Sequence, residues 1–490
     1  MLGFLLAAAL APRLTTQAIV PDAALRIVRS ANPHRRYVRL HLDIELAGRR
    51  GTEISVIDLA TGRSSERISA GPLSGGDGFD GTVVWSADST GMPLIEGNAD
   101  ERLDVFAAAH FFGRTGPERP GIRVLRSAGG TITVRVAYRA LPGPIDVTID
   151  RATGRLTEIV DRSDPDVTAT RFSDYRRIGD TVLPFRIDTT DRYGPVHERV
   201  RSVEFPNALP AKTFSPPPEP NDVALDGIAT IPMRLLDGVP VVPIRINGGP
   251  ELHVLLDSGA SNFLKPRAAR KAGLQPIGND LTGGMGPGTA RERYTTARRL
   301  RIGTAELRDQ PFSVIDDDVF GSTVDGAIGC EVLQRFATRI DFTHRNVELS
   351  RNVERFAIGP PAIPLHLNGC TPEVDGVLDG IRGRFTIDTG SSLPLSIYEP
   401  AVRRYGLRAR YTTGPLEKTG GGIGGGPVGY FALARSLQLG ATPIGSVWMA
   451  LSAMRAGAEA DPTTFGNVGA AALDRFVLVF DYRGGRMWLL

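Results

Sequence analysis

From about residue 35 to 205, apolar and polar positions alternate in short runs separated by turn residues. Tyr37-Val38-Arg39-Leu40-His41-Leu42 and Ile145-Asp146-Val147-Thr148-Ile149 are examples. A period of two sends successive side chains to opposite faces, so these runs predict half-buried antiparallel strands. One interval departs from that period. Between Asp100 and Phe112, Leu103, Phe106, Ala107 and His110 recur at helical spacing and predict one short helix, with His110 as filler rather than a ligand. Ser215-Pro216-Pro217-Pro218-Glu219-Pro220 can continue neither strand nor helix and predicts a stiff, extended linker. At the front, the apolar run Leu2 to Ala11 is too short to span a bilayer. It matches the core of a secretory signal with small-residue cleavage positions near Ala11 or Ala18, although no basic residue precedes it.

After the linker the pattern repeats. Residues 326–349, GAIGCEVLQRFATRIDFTHRNVEL, align without gaps on residues 466–489, GNVGAAALDRFVLVFDYRGGRMWL, at an offset of 140. Identities include Gly326/Gly466, Gly329/Gly469, Arg335/Arg475, Phe336/Phe476 and Asp341/Asp481, more than composition alone would give. Two copies are too few for a solenoid and predict a pseudo-two-fold pair burying a common seam. The expected division is a signal peptide over 1–18, an antiparallel β domain over 19–213, a linker over 214–226, and two lobes over 227–352 and 353–490.

Composition narrows the function. With 57 basic and 54 acidic residues the net charge is +3, which argues against a dedicated nucleic-acid binder. Fifty-seven Gly and 36 Pro favour many turns and short strands over long helices. Two cysteines, without CxxC or HExxH spacing, argue against a zinc site. One disulfide between Cys330 and Cys370 is possible in an oxidising compartment, but the sequence reading favours two free thiols.

Each copy carries an acid at the end of an apolar strand: His253-Val254-Leu255-Leu256-Asp257-Ser258-Gly259-Ala260-Ser261 and Arg384-Phe385-Thr386-Ile387-Asp388-Thr389-Gly390-Ser391-Ser392. A carboxylate there is costly unless it is hydrogen-bonded or functional. One such tetrad is ordinary turn chemistry, whereas two at matching places in a duplication point to a shared site. Symmetry would bring Asp257 and Asp388 together, where like charges resist joint ionisation and one proton is shared. That supplies a base and an acid within reach of one water.

These tetrads and repeats resemble the active-site loops and lobes of aspartic proteases. Ala327-Ile328-Gly329 and Asn467-Val468-Gly469 resemble the family's hydrophobic-hydrophobic-Gly segment, with Asn467 breaking the pattern. Gly283-Gly284-Met285-Gly286-Pro287-Gly288 and Gly420 through Gly426 resemble flap tips, and one in each lobe is closer to the retropepsin than to the pepsin branch. The resemblance implies a mainly β, two-lobed, pseudo-symmetric barrel fold preceded by an antiparallel β domain with a short helix. It further implies an aspartic endopeptidase with Asp257 and Asp388 as catalytic residues. Ser258, Gly259, Thr389, Gly390 and Ser391 would support the loops. Gly284, Met285, Gly286, Gly422, Ile423 and Gly424 would hold the substrate main chain by strand addition.

Ser391 can offer its hydroxyl to Asp388 while the matching Ala260 offers nothing to Asp257. Asp388 is therefore expected to be more often the base and Asp257 to hold the proton. In the front section, Gly81-Thr82-Val83-Val84-Trp85, Asp174 to Gly179 and Leu183-Pro184-Phe185 resemble the curved sheet of LolA-like lipoprotein carriers. No metal or organic cofactor is expected; the partners are a peptide or protein substrate, with no nucleic acid and no transmembrane segment. A monomer in the periplasm or outside the cell is the expectation. The alternative is a non-catalytic envelope protein holding a peptide or lipid in the duplicated cleft with help from the front domain. A serine hydrolase is less favoured, because no His recurs between the copies to serve as base.

Overall fold

The structure is a computed structural model that describes residues 36–58, 60–61, 63–95, 121–137, 143–162, 166–179, 181–317, 321, 323–356 and 361–490. The expected signal segment and the expected helix at 100–112 lie outside these residues. The chain divides into two compact units, Met1–Glu219 and Pro220–Leu490. Both are mainly β, and no described helix is long and apolar enough to cross a membrane.

The first unit is a 13-stranded antiparallel sheet in which strands consecutive in sequence pair side by side, except that Pro93–Ile95 and Gly121–Ala128 lie at its two edges. Among the described residues its one non-local pairing joins Tyr37–Leu46 to Pro195–Glu204, from Arg39↔Glu204 to Leu46↔Val196, with a bulge between His41 and Leu42. Strand alternation places Val38, Leu40, Leu42, Val134, Val147, Phe172, Leu183, Ile187 and Val200 in one buried cluster. Phe214 closes this unit, packing with Tyr37 and Val56 and accepting the Trp85 indole hydrogen at 2.9 Å.

The second unit holds the repeat. Each copy builds a closed sheet, sealed in the first lobe where Ala290–Ile302 pairs Ala305–Asp316 and in the second where Thr371–Leu378 pairs Val428–Leu439. In both, the strand entering the acid lies parallel to the repeat's glycine-containing strand, with Leu256↔Ile328 and Ile387↔Val468. The next residues of the two copies fold alike, as short helices Cys330–Leu333 and Ala470–Leu473 followed by strands. Gly329 and Gly469 are fixed by close approach: a Cβ at either would collide with the carbonyls of the adjacent acid loop.

A six-stranded sheet receives strands from both lobes and forms the seam. At its centre Ala337–Asp341 pairs Val477–Asp481, with Thr338↔Phe480, Arg339↔Val479 and Ile340↔Leu478. Exchanging each residue for its counterpart 140 positions away maps the first pair onto the third and leaves Arg339↔Val479 unchanged. The dyad therefore passes through that pair.

Two expectations change. The end of the stretch read as linker is built into the first lobe: Val223–Ala224 pairs Glu306 and Leu307, and Asp222 is buried against the fully buried guanidinium of Arg335 at 2.7 Å. The thiols are not free, since Cys330 and Cys370 form a disulfide with Cα atoms 5.3 Å apart. The repeat seam brings these positions together across 40 residues of chain, a proximity that spacing alone does not reveal.

Candidate active site

Asp257 and Asp388 meet at the seam. Each accepts a hydrogen bond from the main-chain N–H of the glycine two residues on, Gly259 and Gly390, both at 2.9 Å. Each of these glycines faces the opposite carboxyl, Gly390 with no room for a Cβ beside Asp257 and Gly259 only tightly beside Asp388, so the loops interleave. The two carboxyls are close neighbours, each held against the glycine of the other's loop.

The loops are tied by a reciprocal pattern of four buried bonds. The Ser258 N–H donates to Thr389 Oγ1 at 3.0 Å, and that hydroxyl donates to the Leu256 carbonyl at 2.7 Å. The Thr389 N–H donates to Ser258 Oγ at 3.0 Å, and that hydroxyl donates to the Ile387 carbonyl at 2.7 Å. Each hydroxyl thus satisfies one donor and one acceptor of the other lobe, which a buried main chain requires.

The pair is electrostatically unequal. Burial, then the neighbouring charge of Asp388, pushes the Asp257 carboxyl well above the usual carboxylate range. Burial also raises Asp388, but a bond from Asn467 and main-chain N–H groups of Gly390 and Ser391 oppose it. Asn467 Nδ2 donates to Asp388 Oδ2 at 2.8 Å. Its counterpart Ala327 can donate nothing from a side chain. Asn467 therefore favours the ionised form of Asp388 and has no equivalent beside Asp257, while the two groups titrate as a pair. The side-chain donor expected at Asp388 is the Ser391 hydroxyl; the structure places Asn467 there instead, and the Ser391 N–H donates to the Asp388 main-chain carbonyl at 3.3 Å.

The glycine-rich segments are hairpin tips. One joins Ile277–Thr282 to Ala290–Ile302, the other Leu416–Lys418 to Val428–Leu439. They meet each other: the Gly286 N–H donates to the Ile423 carbonyl at 3.2 Å and the Gly288 N–H to the Gly424 carbonyl at 2.9 Å. Ile423 packs against the first lobe's apolar cluster containing Leu255, Phe263 and Ala327, while Met285 lies against Gly422. Gly284 accepts from the Ala458 N–H at 3.0 Å.

Two residues at the site escape a motif reading. Asn467 is visible only as a polar residue in an apolar packing segment. Tyr482 is buried behind the dyad, its hydroxyl 3.5 Å from the Ser258 carbonyl, and nothing local in the sequence marks it. Among the described residues no group of three or more His, Cys, Asp or Glu side chains could hold a metal ion.

Residues 242–332 match the family model described as aspartyl protease, a span that includes Asp257 and ends before Asp388. No curated protein matches the chain in sequence. Among solved structures, it is similar to a LolA superfamily protein from Nitrosomonas europaea at 15% identity and TM-score 0.29, covering 40% of this chain and 98% of that one. A retropepsin-like aspartic protease from Rickettsia conorii matches at 14% identity and TM-score 0.20, covering 27% and 89%. The Pseudomonas aeruginosa MucA/MucB complex matches at 13% identity and TM-score 0.15, covering 57% and 89%.

Proposed function

We propose that the chain is an aspartic endopeptidase of retropepsin-like type, with Asp257 and Asp388 as its catalytic pair. The observation that carries this reading is the close approach of the two acids, one from each repeat, with each facing the glycine of the other's loop and both loops held by the Ser258/Thr389 cross-ties. The aspartyl protease match over 242–332 supports it. Asp388 takes a proton from a water lying between the carboxyls, and Asp257 gives its proton to the scissile carbonyl oxygen as the new C–O bond forms. The resulting diol collapses when Asp388 passes its proton to the nitrogen, Asp257 takes back a proton from a diol hydroxyl and the C–N bond breaks, so no covalent enzyme intermediate arises and the pair returns to its starting protonation. The tips around Met285 and Ile423 must part to admit a peptide and then hold its main chain.

The cystine suits an oxidising compartment, which fits the expected export to the periplasm or beyond. Both catalytic loops lie in one chain, so a monomer suffices. The test is digestion of a peptide library by the full chain, with Asp257→Asn and Asp388→Asn as controls. Cleavage by the wild type alone supports the reading. Peptide bound but left intact at every pH tested returns the chain to the non-catalytic binder.

A further inference from the structure

The second lobe carries a cavity of about 370 Å³, away from any residue assigned above. Its walls come from three places. Glu399, Val402 and Arg403 belong to helix Glu399–Arg404, and Arg408 and Ala409 to helix Leu407–Arg410. Tyr430 lies on the flap strand Val428–Leu439, Ser452 ends the next strand, Thr442–Ser452, and Ala453 and Arg455 follow it. Three guanidiniums and one carboxylate therefore line a space of small-molecule size. The carboxylate is committed, since Glu399 pairs with Arg403 at 3.3 Å. Arg408 stacks over the Tyr430 ring at 3.5 Å, which fixes its plane and leaves its N–H edge to other partners. Arg408 and Arg455 have no carboxylate partner among the described residues. The net lining charge is two positive, in a fork geometry suited to a phosphate or carboxylate.

The same walls hold the flaps. The Ala453 N–H donates to the Val428 carbonyl at 2.9 Å, and the Val428 N–H lies 3.4 Å from Met454 Sδ. Three residues past Arg455, the Ala458 N–H holds the Gly284 carbonyl of the other lobe's tip. A ligand bridging Arg408 to Arg455 would tie the base of one flap to the segment that grips the other.

We propose that this cavity binds a small dianion, a phosphomonoester or a dicarboxylate, and that occupancy holds the flaps together. Binding does not depend on the peptidase reading; only its effect on turnover rests on that reading. The test titrates phenyl phosphate, succinate and, as the neutral control, benzyl alcohol into the full chain by calorimetry. Hydrogen exchange at residues 419–427 is followed in parallel.

The expected result is saturable binding of one or both dianions but not of the alcohol, with slower exchange at the tip. Phenyl phosphate alone would identify a phosphate site, succinate alone a carboxylate site. Arg408→Gln and Arg455→Gln should each raise Kd about tenfold, the scale of one charge-assisted hydrogen bond. The proposal falls if neither dianion saturates by about 10 mM, a Kd already weaker than useful recognition. It falls equally if both variants bind like the wild type, or if occupancy leaves tip exchange unchanged.

Discussion

Asn467 donates its amide hydrogen to Asp388 at 2.8 Å from the position that Ala327 occupies in the other lobe. The duplicated fold is symmetric at this seam, while the hydrogen bonding of its two acids is not. Removing the donor by Asn467→Ala takes away a bond that favours the ionised Asp388. The acid limb of the pH–rate profile should move to higher pH, and kcat/KM should fall about tenfold. A profile with both limbs unmoved would show that the asymmetry has another source.

The cross-ties set the second expectation. Thr389→Val keeps the shape but strands the Ser258 N–H and the Leu256 carbonyl in a dry site. Loss of stability should be about 2–4 kcal/mol by urea denaturation. Thr389→Ser should recover most of it.

The disulfide joins the helix behind the first acid loop to the turn between His366–Asn368 and Thr371–Leu378, the strand that pairs the second lobe's acid strand. Cys330→Ala with Cys370→Ala should cost about 2–4 kcal/mol, comparable to the effect of reductant on the wild type. Free-thiol titration of the untreated protein should give none.

Asp222 and Arg335 form a buried ion pair inside the first lobe. Asp222→Ala takes the carboxylate partner from a buried guanidinium and should cost about 3–5 kcal/mol. A fragment beginning at residue 221 should therefore fold, while one beginning at 226 should be markedly less stable. Equal midpoints for the two fragments would remove Asp222 from the lobe's foundations.

In the first unit Glu53 and Glu198 are buried on the apolar face of the sheet, 2% and 1% exposed. Burial, then the charge and hydrogen bonding of Glu198, pushes Glu53 up to about 10 from 4.5, and burial, opposed by a hydrogen bond with Glu53, pushes Glu198 up to about 8 from 4.5. Folded carboxyls hold protons that the unfolded chain releases, so stability should fall as pH rises from about 4.5 toward 8. Glu198→Gln should stabilise the protein at pH 8 and change little at pH 4. Thermal midpoints across that range check the sign.

The glutamates, the ion pair and the cystine also mark where sequence reading ended. Alternation named the strands around Tyr37 and Ile145 because a half-buried strand must expose every second side chain. The 140-residue offset named the lobes because two copies of one core repeat the same apolar positions. It also implied that Asp257 and Asp388 would meet, since a dyad carries any repeated residue onto its counterpart. Asp222 looked like linker because Pro-rich composition precedes it, and its partner lies 113 residues away.

What the sequence determined by itself is therefore everything that is local or repeated: the strand pattern, the duplication, and the acid, hydroxyl and glycine of each loop. The tertiary structure alone decided which distant groups touch: Asn467 rather than Ser391 as side-chain donor to Asp388, Cys330 with Cys370, Asp222 with Arg335, and Tyr482 behind the dyad. The reason is physical. Periodicity and turn chemistry are written in adjacent residues, whereas a hydrogen bond or disulfide depends on distances set by the whole packed chain.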